Sequence, residues 1–268
     1  MLVSRVNGLM RMKILKLGGS VITQKDQYFT PDTENIQRLA AEIADSKNQK
    51  MIVVHGAGSF GHPVAKKYNI SDGLKSRDQL IGFSETHQAM TRLNQVIVDT
   101  LLETGVPAFG ISASSMLVTQ GGRINEIDLS LIKLLLELEL IPVMYGDAVL
   151  DTEQGIAILS GDQLVVRLAI ELGAEVIIFG SDVDGIYTSN PKIDEDAKFI
   201  DELSLGNMTA TVGEATFTDV TGGMLGKLQE SETAIKAGSD VIFLNATVAD
   251  RVKLALKGEK VMGTILTL

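Results

Sequence analysis

The strongest constraint on this chain is a repeated pattern: a short, largely apolar run, a glycine-bearing turn, then a longer stretch with helical spacing. The runs fall at residues 14–17, 51–54, 106–111, 141–145, 176–179 and 241–244. A run that is apolar at nearly every position, rather than at alternate ones, is a strand buried on both faces. Such strands belong to a mostly parallel sheet with helices on either side. Between them, residues 33–46, 76–103, 160–172 and 222–237 space apolar side chains three and four apart, with Gly105, Gly173 and Gly238 placed as helix stops. The expected fold class is therefore α/β, a three-layer αβα sandwich with a mostly parallel central sheet. Residues 116–125 and 147–159 break the rhythm and read as inserted β-hairpins, turning at Gly121-Gly122 and near Gly155, suited to a lid or a substrate wall.

With 268 residues, 45% of them hydrophobic, the chain can fill a large core, and 26 Gly against 5 Pro favours tight turns over a stiff linker. One continuous domain over residues 1–268 is expected, with two lobes meeting near residue 160. The 24 basic and 34 acidic residues sum to −10, which disfavours a nucleic-acid partner. The absence of Cys excludes disulfides, zinc–thiolate sites and thiol nucleophiles, and three His leave little for a histidine-rich metal centre. Residues 1–11 carry Arg5 and Arg11 without the apolar stretch or cleavage site of a signal peptide; a start at Met10 or Met12 is the plainer account. The most apolar region, 129–145, is broken by Lys133, Glu137 and Glu139, short of the roughly 20 apolar residues of a membrane span. No membrane association and a cytoplasmic location are expected.

In such sheets ligands bind where strands end and helices begin, and four loops there are unusual. The first, Lys16-Leu17-Gly18-Gly19-Ser20, followed by Thr23 and Lys25, pairs a glycine turn with positive charge, the makings of a phosphate site. A plain strand-to-helix turn explains it equally well on its own. The second runs from His55 to His62, and its Gly56, Gly58 and Gly61 match the dinucleotide spacing G-x-G-x-x-G. That fingerprint also needs an acidic strand end about 20 residues on, yet Asn69 to Lys75 is turn-like and Asp78 stands at a helix start. What survives is an anion cradle with His62 at its exit, while His55 reads as a structural histidine at a strand end. The third, Ser160-Gly161-Asp162-Gln163, has the capping-box pattern, with Gln163 expected to reach back to Ser160. Asp162 is then spare, and would hold both ammonium groups if lysines of the first and fourth loops converge on it. The fourth joins the run Ser181 to Pro191 with the run Asp219 to Lys227, a glycine-rich helix start with a lysine one turn in. It is not a Walker loop, because Thr221 and Leu228 occupy positions that pattern reserves for Gly and for Ser or Thr.

In this order the four loops resemble the amino acid kinase superfamily, over nearly the whole chain from Met12. The run His55-Gly56-Ala57-Gly58-Ser59-Phe60-Gly61-His62 looks like that of the archaeal-type isopentenyl phosphate kinases, which convert isopentenyl phosphate and ATP to isopentenyl diphosphate. The resemblance implies the amino acid kinase fold, an acceptor-binding lobe over about 12–160, an ATP-binding lobe over about 161–268, Mg²⁺ with the nucleotide, and a homodimer. It implies that Lys16, Gly18, Gly19, Ser181, Asp182, Gly185, Tyr187, Gly222 and Lys227 surround ATP, with Gly58 near the terminal phosphate. It further implies that Ala57, Gly58, His62 and Gly161 hold the acceptor phosphate, that Lys25 stabilises the transition state, and that Asp162 organises the lysines. Ala57 stands where some relatives carry glycine.

The chemistry fits independently, since phosphoryl transfer asks a protein mainly to align two anions and neutralise spreading charge. A phosphate monoester is already largely ionised at neutral pH, so no general base is required and His62 is assigned to binding the acceptor. Leu80, Ile81, Phe83, Met90 and Leu93 are candidates for an alkyl-tail pocket, although an apolar stripe at helical spacing is more commonly core. Three rival readings are a kinase of the same fold acting on a phosphonate such as fosfomycin, a nucleotide-binding storage or sensor protein, and a dinucleotide-dependent dehydrogenase. Dimethylallyl phosphate is a second candidate acceptor.

Overall fold

Strand β1 (Lys13–Leu17) lies at the middle of the main sheet, hydrogen-bonded in parallel to β2 (Met51–His55) on one side and β9 (Val176–Ser181) on the other. The computed structural model describes residues 12–47, 50–189, 191, 194–204 and 222–267, the side chains of 222–225 excepted. Among these, eight strands run in the order β12 (Glu202–Ser204), β14 (Thr264–Thr267), β13 (Asp240–Asn245), β9, β1, β2, β6 (Ile141–Tyr145) and β3 (Ala108–Gly110). Only the β13 and β14 pair is antiparallel.

The apolar runs are explained by the layers. Along β1, β2 and β9, Ile14, Ile52, Val54, Ile177 and Phe179 face a core completed by α5 (Ser130–Glu137), α6 (Gly161–Leu172) and α7 (Gly222–Lys236). The intervening Leu15, Leu17, Met51, Val53 and Ile178 face the opposite core, against α1 (Gly19–Ile22), α2 (Thr33–Ser46), α3 (Gly58–Lys67), α4 (Asp78–Glu103) and α8 (Arg251–Lys257). Each fully buried side chain of this size contributes roughly 1.5–3 kcal/mol, so the alternation commits both faces. Phe179 and Phe243 stack at 4.9 Å in the first core. As expected, Gly105, Gly173 and Gly238 end helices with left-handed φ. No helix among the described residues is long and apolar enough to cross a membrane.

Both hairpins form. The first consists of β4 (Leu117–Gln120) and β5 (Arg123–Ile127), the second of β7 (Ala148–Asp151) and β8 (Gly155–Ile158), and β4 pairs with β7 so that the two make one four-stranded sheet. Asp151 fastens this union: its carboxylate accepts from the backbone of Gly121, Gly122, Glu153 and Gln154 and from Thr119 Oγ1. Burial alone would raise the Asp151 pKa, but these donors hold it well below the usual carboxylate range.

The capping-box expectation for Gln163 is corrected. Ser160 does cap α6, accepting from Asp162 N at 3.1 Å, but Gln163 turns away from it. Its Oε1 accepts from Ile124 N at 2.7 Å and its Nε2 donates to Gly122 O at 3.1 Å. An adjacent strand backbone offers an unpaired donor and acceptor together, which outcompetes a single helix-end amide.

Candidate active site

The first three loops meet at the carboxyl ends of β1, β2 and β6, backbone against backbone. A Cβ on Gly19 would stand 2.2 Å from Gly58 N, and one on Gly146, just after β6, 2.7 Å from Gly161 N. Thr23 latches the contact, donating from Oγ1 to Gly19 O at 2.8 Å while accepting from Ser59 N at 3.0 Å. Gly58, the first residue of α3, takes φ +48, so its left-handed backbone and its crowding by Thr23 both demand glycine.

Over this floor the expected convergence of lysines occurs. Lys16 leaves β1 across Gly161 and places Nζ 2.8 Å from Asp162 Oδ1, while Lys227, in the second turn of α7, places Nζ 3.2 Å from Asp162 Oδ2. Burial would raise the Asp162 pKa, but the two ammonium groups pull it below its ordinary value. Lys16 is lowered by burial and by the charge of Lys227, with Asp162 opposing. His62, in the first turns of α3, is close enough to feel both lysines: the water its ring loses there, then Lys16, then Lys227 hold its pKa below the ordinary imidazole value. Lysines, histidine and glycine loops thus surround one space with positive charge and backbone amides.

The other candidates divide. Lys25 is 58% exposed and pairs with Asp182 Oδ2 at 2.9 Å; Ser20 Oγ donates to the other oxygen at 3.0 Å. Lys25 and Asp182 therefore sit together, rather than Lys25 with Asp162. Gly18 donates to Gly180 O at 2.8 Å, joining the first loop to the end of β9, and Ser181 Oγ donates to Val183 O. Gly185 packs against Thr264, and Tyr187, in the short strand β10 (Ile186–Tyr187), packs edge-on to Phe199 of β11 (Phe199–Ile200). Gly222 opens α7; residues 219–221 lie outside the described residues, as do 1–11 and 190. His55 is buried as a structural residue, its Nδ1 donating to Gly56 O and its Nε2 accepting from Asn94, with burial pushing its pKa down to about 4. Of the proposed tail residues, Met90 and Leu93 are core, Phe83 is half-buried, and Leu80 and Ile81 are exposed.

Two polar groups beside the site were given no role by the sequence. Asp184 is gripped by Arg251 and Asn245, and Asp147, following Gly146, accepts from His87 Nδ1 at 2.9 Å and Ser112 Oγ at 3.0 Å. For Asp147 the only sequence signal was an acid directly after a glycine at a strand end, and for Asp184 its place within the run Ser181 to Pro191.

A family model described as the amino acid kinase family matches residues 11–245. Isopentenyl phosphate kinase of Methanothermobacter thermautotrophicus is 41% identical over 264 residues, covering 96% of this chain and 99% of that protein. A solved X-ray structure of an isopentenyl phosphate kinase superposes with a TM-score of 0.85 at 38% identity, covering 95% of this chain and 99% of the other. The crystal structure of an isopentenyl phosphate kinase substrate complex superposes with a TM-score of 0.79 at 28% identity, covering 95% and 100%.

Proposed function

Since the chain belongs to the amino acid kinase family, and within it to the isopentenyl phosphate kinases, we propose that it phosphorylates isopentenyl phosphate with ATP, giving isopentenyl diphosphate and ADP. The observation that carries the reading is the pair of lysines held by one carboxylate: Lys16 and Lys227 at 2.8 and 3.2 Å from Asp162, over loops whose glycines leave backbone amides close to any anion. Two phosphate-bearing substrates repel each other, and a site built of fixed cations and amides offsets that repulsion without reorganising.

An oxygen of the acceptor phosphate attacks the γ-phosphorus of ATP in line; the new P–O bond forms as the bond to the β-phosphate bridging oxygen breaks, and ADP leaves. Lys16 and Lys227 bind the transferring group, and Asp162 keeps them apart from each other and aimed at it. His62 donates a ring N–H to the acceptor phosphate beside Ala57, Gly58 and Gly161. Lys25 leaves Asp182 to meet the charge that develops in the transition state. Gly18, Gly19, Ser181, Asp182, Gly185, Tyr187 and Gly222 border the nucleotide. The residues fit a magnesium ion carried on the triphosphate rather than in a protein cage: Asp162 and Asp182 both have lysine partners, and no cluster of three metal-binding side chains occurs among the described residues. A magnesium ion bound with the triphosphate would supply charge neutralisation for the transfer.

Residues before about 160 then form the acceptor lobe and those after it the ATP lobe, acting in the cytoplasm. A homodimer is part of the reading, supported by the sheet-edge strand β3 with its exposed Phe109 and by exposed Leu102 near the end of α4. Sedimentation of the purified chain checks it, a monomer at micromolar concentration refuting it.

The activity is tested by ADP release with Mg²⁺-ATP and isopentenyl phosphate, set beside dimethylallyl phosphate, fosfomycin, a nucleoside monophosphate and a blank without acceptor. Turnover with the alkyl monophosphates alone is the expected result. Turnover only with another acceptor keeps the site and discards the isoprenoid substrate.

A further inference from the structure

Lys227 and Asp162 stand on different helices, and a third element ties those helices together. The residue after the Gly121-Gly122 turn is Arg123. The groups on either side of it, Gly122 O and Ile124 N, are both taken by the side chain of Gln163, the neighbour of Asp162 in α6. Arg123 itself leaves the hairpin and grips Glu230 of α7 with both arms of its guanidinium, Nη1 on Oε1 and Nη2 on Oε2 at 3.0 Å. Glu230 follows Lys227 by one helical turn, so the two share a face of α7. The contacts close a ring: Asp162 to Gln163 along the chain, Gln163 to the hairpin, Arg123 to Glu230, Glu230 to Lys227 along α7, and Lys227 back to Asp162.

The hairpin side of the ring is stiff. Asp151 accepts from Gly121 N at 3.1 Å and from Gly122 N at 2.7 Å, fixing the turn immediately before Arg123 to the second hairpin. The grip on Glu230 is bidentate, which sets direction as well as distance. Yet Arg123 is 64% exposed, and an ion pair of that kind adds little to global stability. A contact that orients strongly and stabilises weakly is suited to setting the position of what it holds.

We propose that the β4–β5 hairpin is a strap between the two lobes, and that Arg123 is a positioning residue for phosphoryl transfer, holding Lys227 against Asp162 through Glu230. The proposal rests on the kinase reading above for the role of Lys227. It goes beyond that reading in making a residue of the acceptor lobe set nucleotide affinity.

The test uses the full chain with R123A, E230Q and the charge-swapped double variant R123E/E230R. K236A is the control, because Lys236 pairs with Glu232 at 2.6 Å on the same helix outside the ring. The readouts are the dissociation constant of a non-hydrolysable Mg²⁺-ATP analogue by calorimetry, the thermal midpoint, and steady-state kinetics. R123A and E230Q should each weaken analogue binding by about fivefold or more and lower kcat by about tenfold, with KM for the acceptor within about twofold. The thermal midpoint should stay within about 2 °C, K236A should match the parent, and the double variant should recover most of the lost affinity. Analogue affinity unchanged in R123A, or a double variant as impaired as the two single losses combined, overturns the strap. Because analogue binding needs no acceptor, a parent that binds nucleotide but ignores isopentenyl phosphate would refute the substrate reading and leave this result to be read on its own.

Discussion

The ammonium of Lys16 and the carboxylate of Asp162 meet at 2.8 Å although one lies in the central strand and the other in the first turn of α6, and both are nearly buried. Removing two charges from water costs about as much as their attraction returns, so such a pair is poor evidence of stabilisation. Its use is electrostatic order. Lys227 takes the second oxygen, and the three groups form a charged triad whose net positive charge faces the space bounded by Gly58 and His62.

Asp162→Asn keeps the shape of the triad and removes its negative charge. Lys16 then loses the partner that opposes its lowered pKa, so it deprotonates at lower pH than in the parent. We expect kcat to fall by about 100-fold and the alkaline limb of the rate profile to move to lower pH. Stability should respond in the opposite range. Because the folded pKa of Asp162 lies below its unfolded value, its contribution is present above about pH 4 and lost as pH falls through the lowered value. A variant within threefold of the parent, with an unmoved alkaline limb, would remove Asp162 from the mechanism.

His62→Ala should lose most turnover at saturating ATP, by about 10- to 100-fold, through a raised KM for the acceptor as well as a lower kcat. His62→Asn, which retains an N–H, should keep part of the activity. In the free protein burial, Lys16 and Lys227 hold the imidazole pKa below its ordinary value, and a bound dianion must raise it. Histidine NMR titrations with and without isopentenyl phosphate measure this directly. A titration that ignores the acceptor would sever His62 from it.

Gly58→Ala tests the glycine floor. The added methyl group would stand 2.1 Å from Thr23 Oγ1 and 2.8 Å from Gly19 O, at a φ of +48 that alanine resists. We expect a loss of about 2–4 kcal/mol in urea unfolding and at least a tenfold loss in kcat/KM, because relieving the clash must part the first two loops. Unchanged unfolding together with normal kinetics would mean that the loops are free to separate.

Much of this was legible in the residues, and what was not has a physical reason. Strands such as 51–54 and 141–145 announced themselves because burial on both faces leaves no polar position, and helix 33–46 because its apolar side chains recur three and four apart. Asp162 was legible as a spare carboxylate, and its lysines as loop residues, but their meeting depended on helix α7 returning to α6, which local sequence does not encode. Gln163 was misread because the capping pattern is local while its actual partners, Gly122 and Ile124, arrive from 40 residues away. The two hairpins were each visible from their turns; their fusion through Asp151 was not, since one carboxylate serving two turns is a tertiary event. Strand β14 and helix α8 are short and carry no strong period, so packing rather than propensity makes them.

The histidine at the end of β2 gives the last prediction. His55 is fully buried, stacks on Tyr145 at 5.3 Å, donates to Gly56 O and accepts from Asn94, so its neutral form is built into the floor of the site. Burial, reinforced by Lys16, lowers its pKa to about 4 from 6.5. In the unfolded chain it takes up a proton near pH 6.5, before the folded protein does, so the unfolded state binds more protons between those values and stability rises with pH across that window. The contribution is complete above about pH 6.5 and declines as pH falls towards 4, by roughly 3 kcal/mol in all at about 1.4 kcal/mol per unit. His55→Asn preserves a donor towards Gly56 O without a titrating ring. Urea unfolding at pH 7 and pH 4.5 should show the parent losing stability more steeply than the variant, by about 2 kcal/mol. Equal slopes would mean that the ring accepts its proton in the folded state, and the buried neutral histidine would no longer explain the rigidity of the floor beneath Lys16.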